Sequence, residues 1–324
     1  MRIVVSDCDH ESMSVEERLF ADSGLDYTHL ACRTEDAVID ECRGAGIIMN
    51  QYAPFTERVF AALDPDLKLI VRYGVGVDNI DLEAATRHGV QVCNVPDYGM
   101  NEVSDHALGL MLALVRKLPF ITERTRRGDW DYRRTIPVRR LGTLTVGVVG
   151  VGRIGGLFAR KVSALGCRVI GTDPRYPDLV REHPEVTFVA FDTLLAESDV
   201  ISIHCPLDAA TRGLFGADAL ARMKPTALLI NTARGGIIDE AALANAFARG
   251  AIGGAAIDTV AHEPLAADSL LHPYANCLVT PHMAWYSEES AEELNRKVAE
   301  EAIRFARGEA VRYPVNRLAV HRES

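Results

Sequence analysis

The sequence predicts an α/β protein made of two doubly wound parallel-sheet domains with a cleft between them. Three observations predict it. Short apolar runs of strand length alternate with helix-compatible segments along most of the chain, the pattern of parallel sheets covered on both faces. At 324 residues the chain is long enough for two domains, each with its own core. A glycine turn within residues 145–155, TVGVVGVGRIG, starts a second strand–helix series after a first one.

That turn is the most informative stretch. An apolar run at 146–149 ends in Gly150-x-Gly152-x-x-Gly155, a helix-compatible segment follows at 157–165, and a second buried strand at 168–171 leads to Asp173. Strand, glycine turn, helix, strand and acid are in register for binding a dinucleotide. Gly150 permits the tight turn, Gly152 lets backbone approach a pyrophosphate, and Gly155 lets the helix pack on the strand. The helix start offers N–H groups and a positive dipole end to phosphates. Asp173 can accept both hydroxyls of an adenosine ribose. A carboxylate there repels a 2′-phosphate, so NAD is favoured over NADP; Arg175 close by weakens that preference a little.

Before this turn, strands are expected at 2–6, 46–49, 67–71 and 90–94, with helices at 14–24, 34–42, 57–63 and 82–88. Gly74-x-Gly76 lacks the third glycine of a dinucleotide turn, so it reads as a backbone loop whose N–H groups can hold a small anion. Residues 101–118 read as a long helix, apolar nearly all round and buried on most sides, joining the domains. Residues 128–140, with Trp130, Tyr132 and four arginines, read as a loop or dimer arm. After the turn, strands are expected at 186–188, 200–204, 227–231, 254–258 and 278–280, with a helix at 239–249. A last helix at 287–307, with an apolar stripe of Leu294, Val298 and Phe305, is expected to return to the first domain. The expected division is a substrate domain, 1–99 completed by 286–324, and a dinucleotide-binding domain, 100–285.

Composition sets limits. The net charge of −10 argues against nucleic acid as a partner, so local groups must hold any substrate anion. The longest strongly apolar stretch, 108–115, is far shorter than the ~20 residues that span a bilayer. With no cleavable-signal pattern at the start, a cytoplasmic protein is expected. The seven cysteines are scattered, form no C-x-x-C and suggest reduced thiols and no metal site.

Three polar residues follow three strands of the second domain: Arg234 in NTARGG, Glu263 before Pro264, and His282 in Thr280-Pro281-His282. Ligands of open α/β sheets bind beyond the carboxyl ends of strands, which places all three beside the dinucleotide. Arginine can clamp a carboxylate and polarise the adjacent carbonyl, a protonated imidazole can deliver a proton, and a carboxylate on its far nitrogen favours the charged ring. Singly each is an ordinary surface group; together they point to hydride-transfer chemistry on a ketone. His204-Cys205-Pro206 is expected over the adenosine or ribose. Cys205 is discounted as a nucleophile because no activating base is apparent. Asp258 is expected near the nicotinamide, or else as a loop cap. His106 stands evenly between a buried structural histidine and a lip of the cofactor site.

With these residues in hand, the chain resembles the D-isomer-specific 2-hydroxyacid dehydrogenases nearly end to end. The segment VRYGVGVDNIDL at 71–82 is similar to the phosphoglycerate dehydrogenase and C-terminal-binding-protein branches, and Asn94-Val95-Pro96 and HMAWYS at 282–287 to the latter. The resemblance implies that Arg234, Glu263 and His282 are catalytic, and that Val75 and Gly76, with Arg72, bind the substrate carboxylate. It places Arg153 and Ile154 under the pyrophosphate and Cys205, Pro206, Thr211, Thr232, Ala233 and Asp258 along the cofactor. It implies a homodimer and a small 2-oxo or 2-hydroxy acid as substrate. Trp285 either walls the pocket or packs a hinge. The regulatory C-terminal domain of many phosphoglycerate dehydrogenases is not expected. Two alternatives stay open: an NAD(H)-sensing co-regulator and a phosphoglycerate-type enzyme.

Overall fold

A computed structural model of the chain describes residues 1–318. It contains two compact units, Met1–Gly99 with the segment from Ser287 onward, and Met100–Tyr286. The end of the expected 286–324 segment, residues 319–324, lies outside the described residues.

The first unit runs β1 (Arg2–Val5), α1 (Ser14–Ser23), β2 (Thr28–His29), α2 (Glu35–Glu41), β3 (Ala45–Asn50), α3 (Glu57–Leu63), β4 (Leu69–Arg72), α4 (Leu82–Arg87) and β5 (Gln91–Cys93). The second runs α5 (Met100–Val115), α6 (Leu118–Arg126), β6 (Thr145–Val149), α7 (Arg153–Ala164), β7 (Arg168–Thr172), α8 (Tyr176–Leu179), β8 (Thr187–Phe188), α9 (Phe191–Glu197), β9 (Val200–Ile203), α10 (Ala217–Arg222), β10 (Leu228–Asn231), α11 (Glu240–Ala248), β11 (Gly254–Ile257) and β12 (Cys277–Val279). The chain then re-enters the first unit as α12 (Glu288–Ala306), which packs against α1, β3 and β4.

Both sheets are parallel throughout. The first has the order β2-β1-β3-β4-β5, the flavodoxin-like winding. The second has the order β12-β11-β10-β9-β6-β7-β8, a Rossmann winding with a seventh strand beside the sixth. Strands read as near-continuous apolar runs because both faces are covered. All six residues of β3 and all four of β9 and β11 are buried.

Sequence punctuation fixes the ends. Thr34, Asp81 and Asp239 cap α2, α4 and α11 with side-chain oxygens, each satisfying a backbone N–H that the first turn leaves unpaired. Ser287 and Ser290 make a reciprocal cap on α12. The apolar stripe of α12 is Leu294, Val298, Ala302 and Ile303; Phe305 is only half-buried.

The long helix differs from expectation. α5 ends at Val115, because Lys117 turns left-handed at φ 53° and Pro119 starts α6. Nor is α5 buried on most sides. Ala107, Leu110, Met111, Leu114 and Val115 enter the core, whereas Val103, Leu108 and Leu112 are half-buried. α7 likewise starts at Arg153, directly on the glycine turn.

Asp199, just before β9, ties that strand to β6 next to it. Its carboxylate accepts the Thr145 N–H at 2.9 Å and pairs with Arg139 at 2.7 Å and Lys224 at 3.0 Å. Burial pushes its pKa up, but the Thr145 N–H and the two cations outweigh burial and hold it below the usual carboxylate range. The stabilisation is therefore present above the unfolded value of about 3.9 and is lost as pH falls through the lower folded value. Asp199→Asn is expected to destabilise the second unit by about 2 kcal/mol at pH 7. The gap between variant and parent in urea titrations should close as the pH falls through the lowered range of the folded Asp199 carboxyl.

Candidate active site

In the glycine turn each glycine has its own steric reason. Gly150 adopts φ 88°, and a Cβ there would meet Cys205 N at 2.6 Å. A Cβ on Gly155 would collide with the Gly150 carbonyl. Both positions are fixed by protein atoms. Gly152 differs: its φ of −83° suits any residue, and a Cβ there would meet only the Arg175 guanidinium, at 3.5 Å. The protein supplies no steric reason for a glycine at 152, whereas a closely approaching ligand does. No side chain caps α7, and among the described residues no acceptor takes the Ile154 or Gly155 N–H. These donors, with the bare face of Gly152, suit a pyrophosphate.

Asp173 closes the other side of the turn. Its two carboxylate oxygens accept the Val151 N–H at 3.0 Å and the Arg175 N–H at 2.9 Å. Oδ1 also accepts from Arg175 Nε at 3.4 Å, whereas Oδ2 keeps a second acceptor site, so a ribose hydroxyl can still be taken there. Behind the turn, burial holds His204 neutral, its pKa pushed down to about 3, with Ser202 Oγ at 2.8 Å. Burial pushes the Cys205 thiol up to about 11, which keeps it protonated and unreactive. Thr211 Oγ1 donates to the Pro206 carbonyl at 2.6 Å and shapes the loop after β9. Thr232 Oγ1 is buried without a hydrogen-bond partner among the described residues, next to Ala233.

Arg234, Glu263 and His282 follow β10, β11 and β12, three adjacent strands of one sheet. Neighbouring strands lie about 4.8 Å apart, so the loops carrying the three are also neighbours. Asn231, the last residue of β10, is buried and shapes its turn from within: its carbonyl oxygen accepts the Ala233 N–H at 3.0 Å and its amide donates to the Arg234 carbonyl at 2.9 Å. Gly235 lets this turn lie directly on the next loop, since a Cβ would collide with the Val260 backbone.

His282 Nδ1 lies 2.7 Å from Glu263 Oε2. Glu263 Oε1 also accepts the Val260 N–H at 3.3 Å. Burial pushes the Glu263 carboxyl up, but the His282 hydrogen bond and charge, the Val260 N–H and the Arg234 charge together hold it below the ordinary value. His282 has a left-handed backbone, φ 51°, rare outside glycine. Its N–H donates to the Asp258 carbonyl at 2.8 Å. The Asp258 carboxylate accepts the Thr280 hydroxyl at 2.6 Å and the Met283 and Ala284 N–H groups at 3.0 Å each. Asp258 thus caps the loop that presents His282. The Trp285 ring, three residues from His282, meets Tyr286 edge to face at 5.6 Å between centroids.

In the first unit Arg72 ends β4, and its guanidinium folds across Gly74 where a Cβ would lie. Gly74 has φ 128°, Val75 is 41% exposed, and the Asn94 amide holds the Val75 carbonyl at 2.6 Å. Among the described residues no acceptor takes the Val75 or Gly76 N–H. Sequence reasoning missed Asn231 and Thr280 as loop-shaping residues. The available signal was a polar residue at the end of an apolar strand.

Two glycines make opposite predictions. Gly235→Ala should lower the stability of the second unit by about 1–3 kcal/mol through overpacking against backbone. Gly152→Ala should leave stability within about 0.5 kcal/mol and weaken dinucleotide binding at least tenfold. Thermal unfolding and NADH titration of both variants check this.

Comparisons with known proteins point to one family. The family model described as D-isomer specific 2-hydroxyacid dehydrogenase, NAD binding domain, matches residues 108–284. A glycerate dehydrogenase of Methylorubrum extorquens is 36% identical over 282 residues, 85% of this chain and 87% of that protein. A D-3-phosphoglycerate dehydrogenase of Archaeoglobus fulgidus is 39% identical over 78% of this chain but 47% of its own length. The chain spans about half the length of the phosphoglycerate dehydrogenases it matches. Among solved structures, D-lactate dehydrogenase from Aquifex aeolicus, complexed with NAD and lactic acid, is similar with a TM-score of 0.86 at 29% identity, covering 95% of this chain and 96% of that one. With a matching NAD-binding domain, near-full-length relatives and the glycine turn built as described, this chain belongs to the D-isomer-specific 2-hydroxyacid dehydrogenases, NAD-dependent oxidoreductases.

Proposed function

We propose that this chain interconverts a small 2-oxo acid and its (R)-2-hydroxy acid, with His282 as general acid and base. The observation that carries the reading is the 2.7 Å contact between Glu263 and His282 on loops beside that of Arg234. NAD, when bound, supplies or takes up the hydride. Glu263 accepts from Nδ1, so Nε2 is the nitrogen that gives the carbonyl oxygen its proton in reduction and takes it back in oxidation. The ionised Glu263 offsets the charge of the imidazolium. Arg234 clamps the substrate carboxylate and polarises the carbonyl. For Val75, Gly76 and Arg72 the proposed role is also carboxylate binding; exposed backbone N–H groups and a guanidinium support it. Trp285 beside His282 favours a modest, partly apolar acid, and the similarity to a glycerate dehydrogenase puts the 2-oxo acid of glycerate in the first test set.

A homodimer is the proposed assembly. α6 buries none of its residues, and Leu118, Trp130, Tyr132 and Ile136 are each at least half exposed. So much apolar surface on one segment is expected to be covered by a second copy. The seven free cysteines support a cytoplasmic setting.

Following nicotinamide absorbance with NADH and a panel of 2-oxo acids tests the activity. Tight NADH binding without turnover of any acid would favour a cofactor-sensing role instead. His282→Ala should lower kcat by about two to four decades and leave NADH binding intact. Near-normal turnover in that variant would sink the assignment. Glu263→Gln should lower kcat by about one to two decades with NADH affinity unchanged, because the carboxylate that orients the ring is gone; a parent-like kcat argues against the pair. Sedimentation equilibrium decides the assembly.

A further inference from the structure

His106 lies on α5. Its ring is 20% exposed, and its Nε2 lies 3.1 Å from Thr280 Oγ1 and 3.6 Å from Asp258 Oδ1. Thr280 donates its one hydroxyl proton to Asp258 Oδ1. Toward His106 it can therefore only accept, which sets the proton on Nε2 of the imidazole. The bonds run in one direction: His106 N–H to Thr280, then Thr280 O–H to Asp258. The Asp258 carboxylate in turn takes the Met283 and Ala284 N–H groups, and its carbonyl takes that of His282.

This line ends on the turn that holds His282 left-handed. A carboxylate is planar, so one torsion sets both of its oxygens. Oδ1 takes Thr280 and Met283, and Oδ2 takes Ala284. Fixing Oδ1 from the helix side therefore fixes the geometry of the whole turn. Without the His106 donor, Thr280 can rotate its hydroxyl and release the carboxylate.

We propose that His106 is a positioning residue for the proton carrier. Through Thr280 and Asp258 it sets the backbone from which His282 meets Glu263. This rests on the reading of His282 as general acid and base. His106 touches neither Glu263 nor the reacting atoms in this account, and its effect is on geometry alone.

The test compares His106→Leu, which removes the donor, with His106→Gln, whose amide can still donate to Thr280. In His106→Leu, kcat should fall about 10- to 100-fold, as expected for a displaced catalytic group, with KM for the 2-oxo acid and NADH affinity within about twofold. His106→Gln should recover most of the loss. In a Thr280→Val background the His106→Leu change should add little. A second readout needs no turnover: the His282 Cε1–H proton resonance, assigned by its loss in His282→Asn. It should be single in the parent and in His106→Gln, and broadened or multiple in His106→Leu. A parent-like kcat in His106→Leu overturns the proposal, as does a kcat loss that tracks a lowered folded fraction and is not rescued by glutamine. If the parent turns over no acid, the dehydrogenase reading fails, and an unchanged His282 resonance in His106→Leu then overturns the positioning role separately.

Discussion

The left-handed backbone at His282 is the constraint on which the active end of the second unit depends. Such a conformation costs a non-glycine residue of order 1–3 kcal/mol, and it persists only when its surroundings over-determine it. Here they do. The Asp258 carbonyl holds the His282 N–H, and the Asp258 carboxylate holds the next two N–H groups. A relaxed turn at 280–284 would swing the ring away from Glu263. The strain is therefore tied to the 2.7 Å contact between His282 and Glu263, on which the proposed proton transfer rests.

The glycine turn shows how a local constraint can have two kinds of cause. Gly150 and Gly155 are required by the fold, because backbone atoms of 150 and 204–205 occupy the space a side chain would need. Gly152 has open space beside it and an ordinary φ. The same motif letter thus answers to packing at two positions, while at the third the fold leaves room beside the backbone. Gly235 belongs with the first kind, since it seats the Arg234 turn against the backbone of the Glu263 loop.

Much of this was legible in sequence, because the signals were local. The turn with Asp173 and the three polar residues past β10, β11 and β12 are read from spacing and strand ends. That each sheet is parallel with helices on both faces follows from strand and helix alternation. What was not legible depends on neighbours distant in the chain. The break after Val115 was hidden by an apolar pattern running on to Leu118, and only Pro119 hinted at a new helix start. β2 has two exposed residues and so no apolar run to read. The even choice over His106 could not be narrowed without Thr280, 174 residues away, as its partner.

Asp258 and Glu263 lie close in sequence after the same strand, and burial divides their work. Asp258 is 2% exposed and its carboxylate already accepts from one hydroxyl and two backbone N–H groups. An acid so enclosed is held by the loop that it shapes. The Glu263 side chain is 35% exposed, bonded to one backbone N–H and to the imidazole. It keeps contact with solvent, stays ionised, and lies 2.7 Å from the imidazole proposed to carry the proton. Exchanging the two environments would leave His282 beside an acid committed to backbone and its turn beside one too loosely held to fix it. The division of labour follows from where each carboxylate sits, because chemically the two groups are nearly the same.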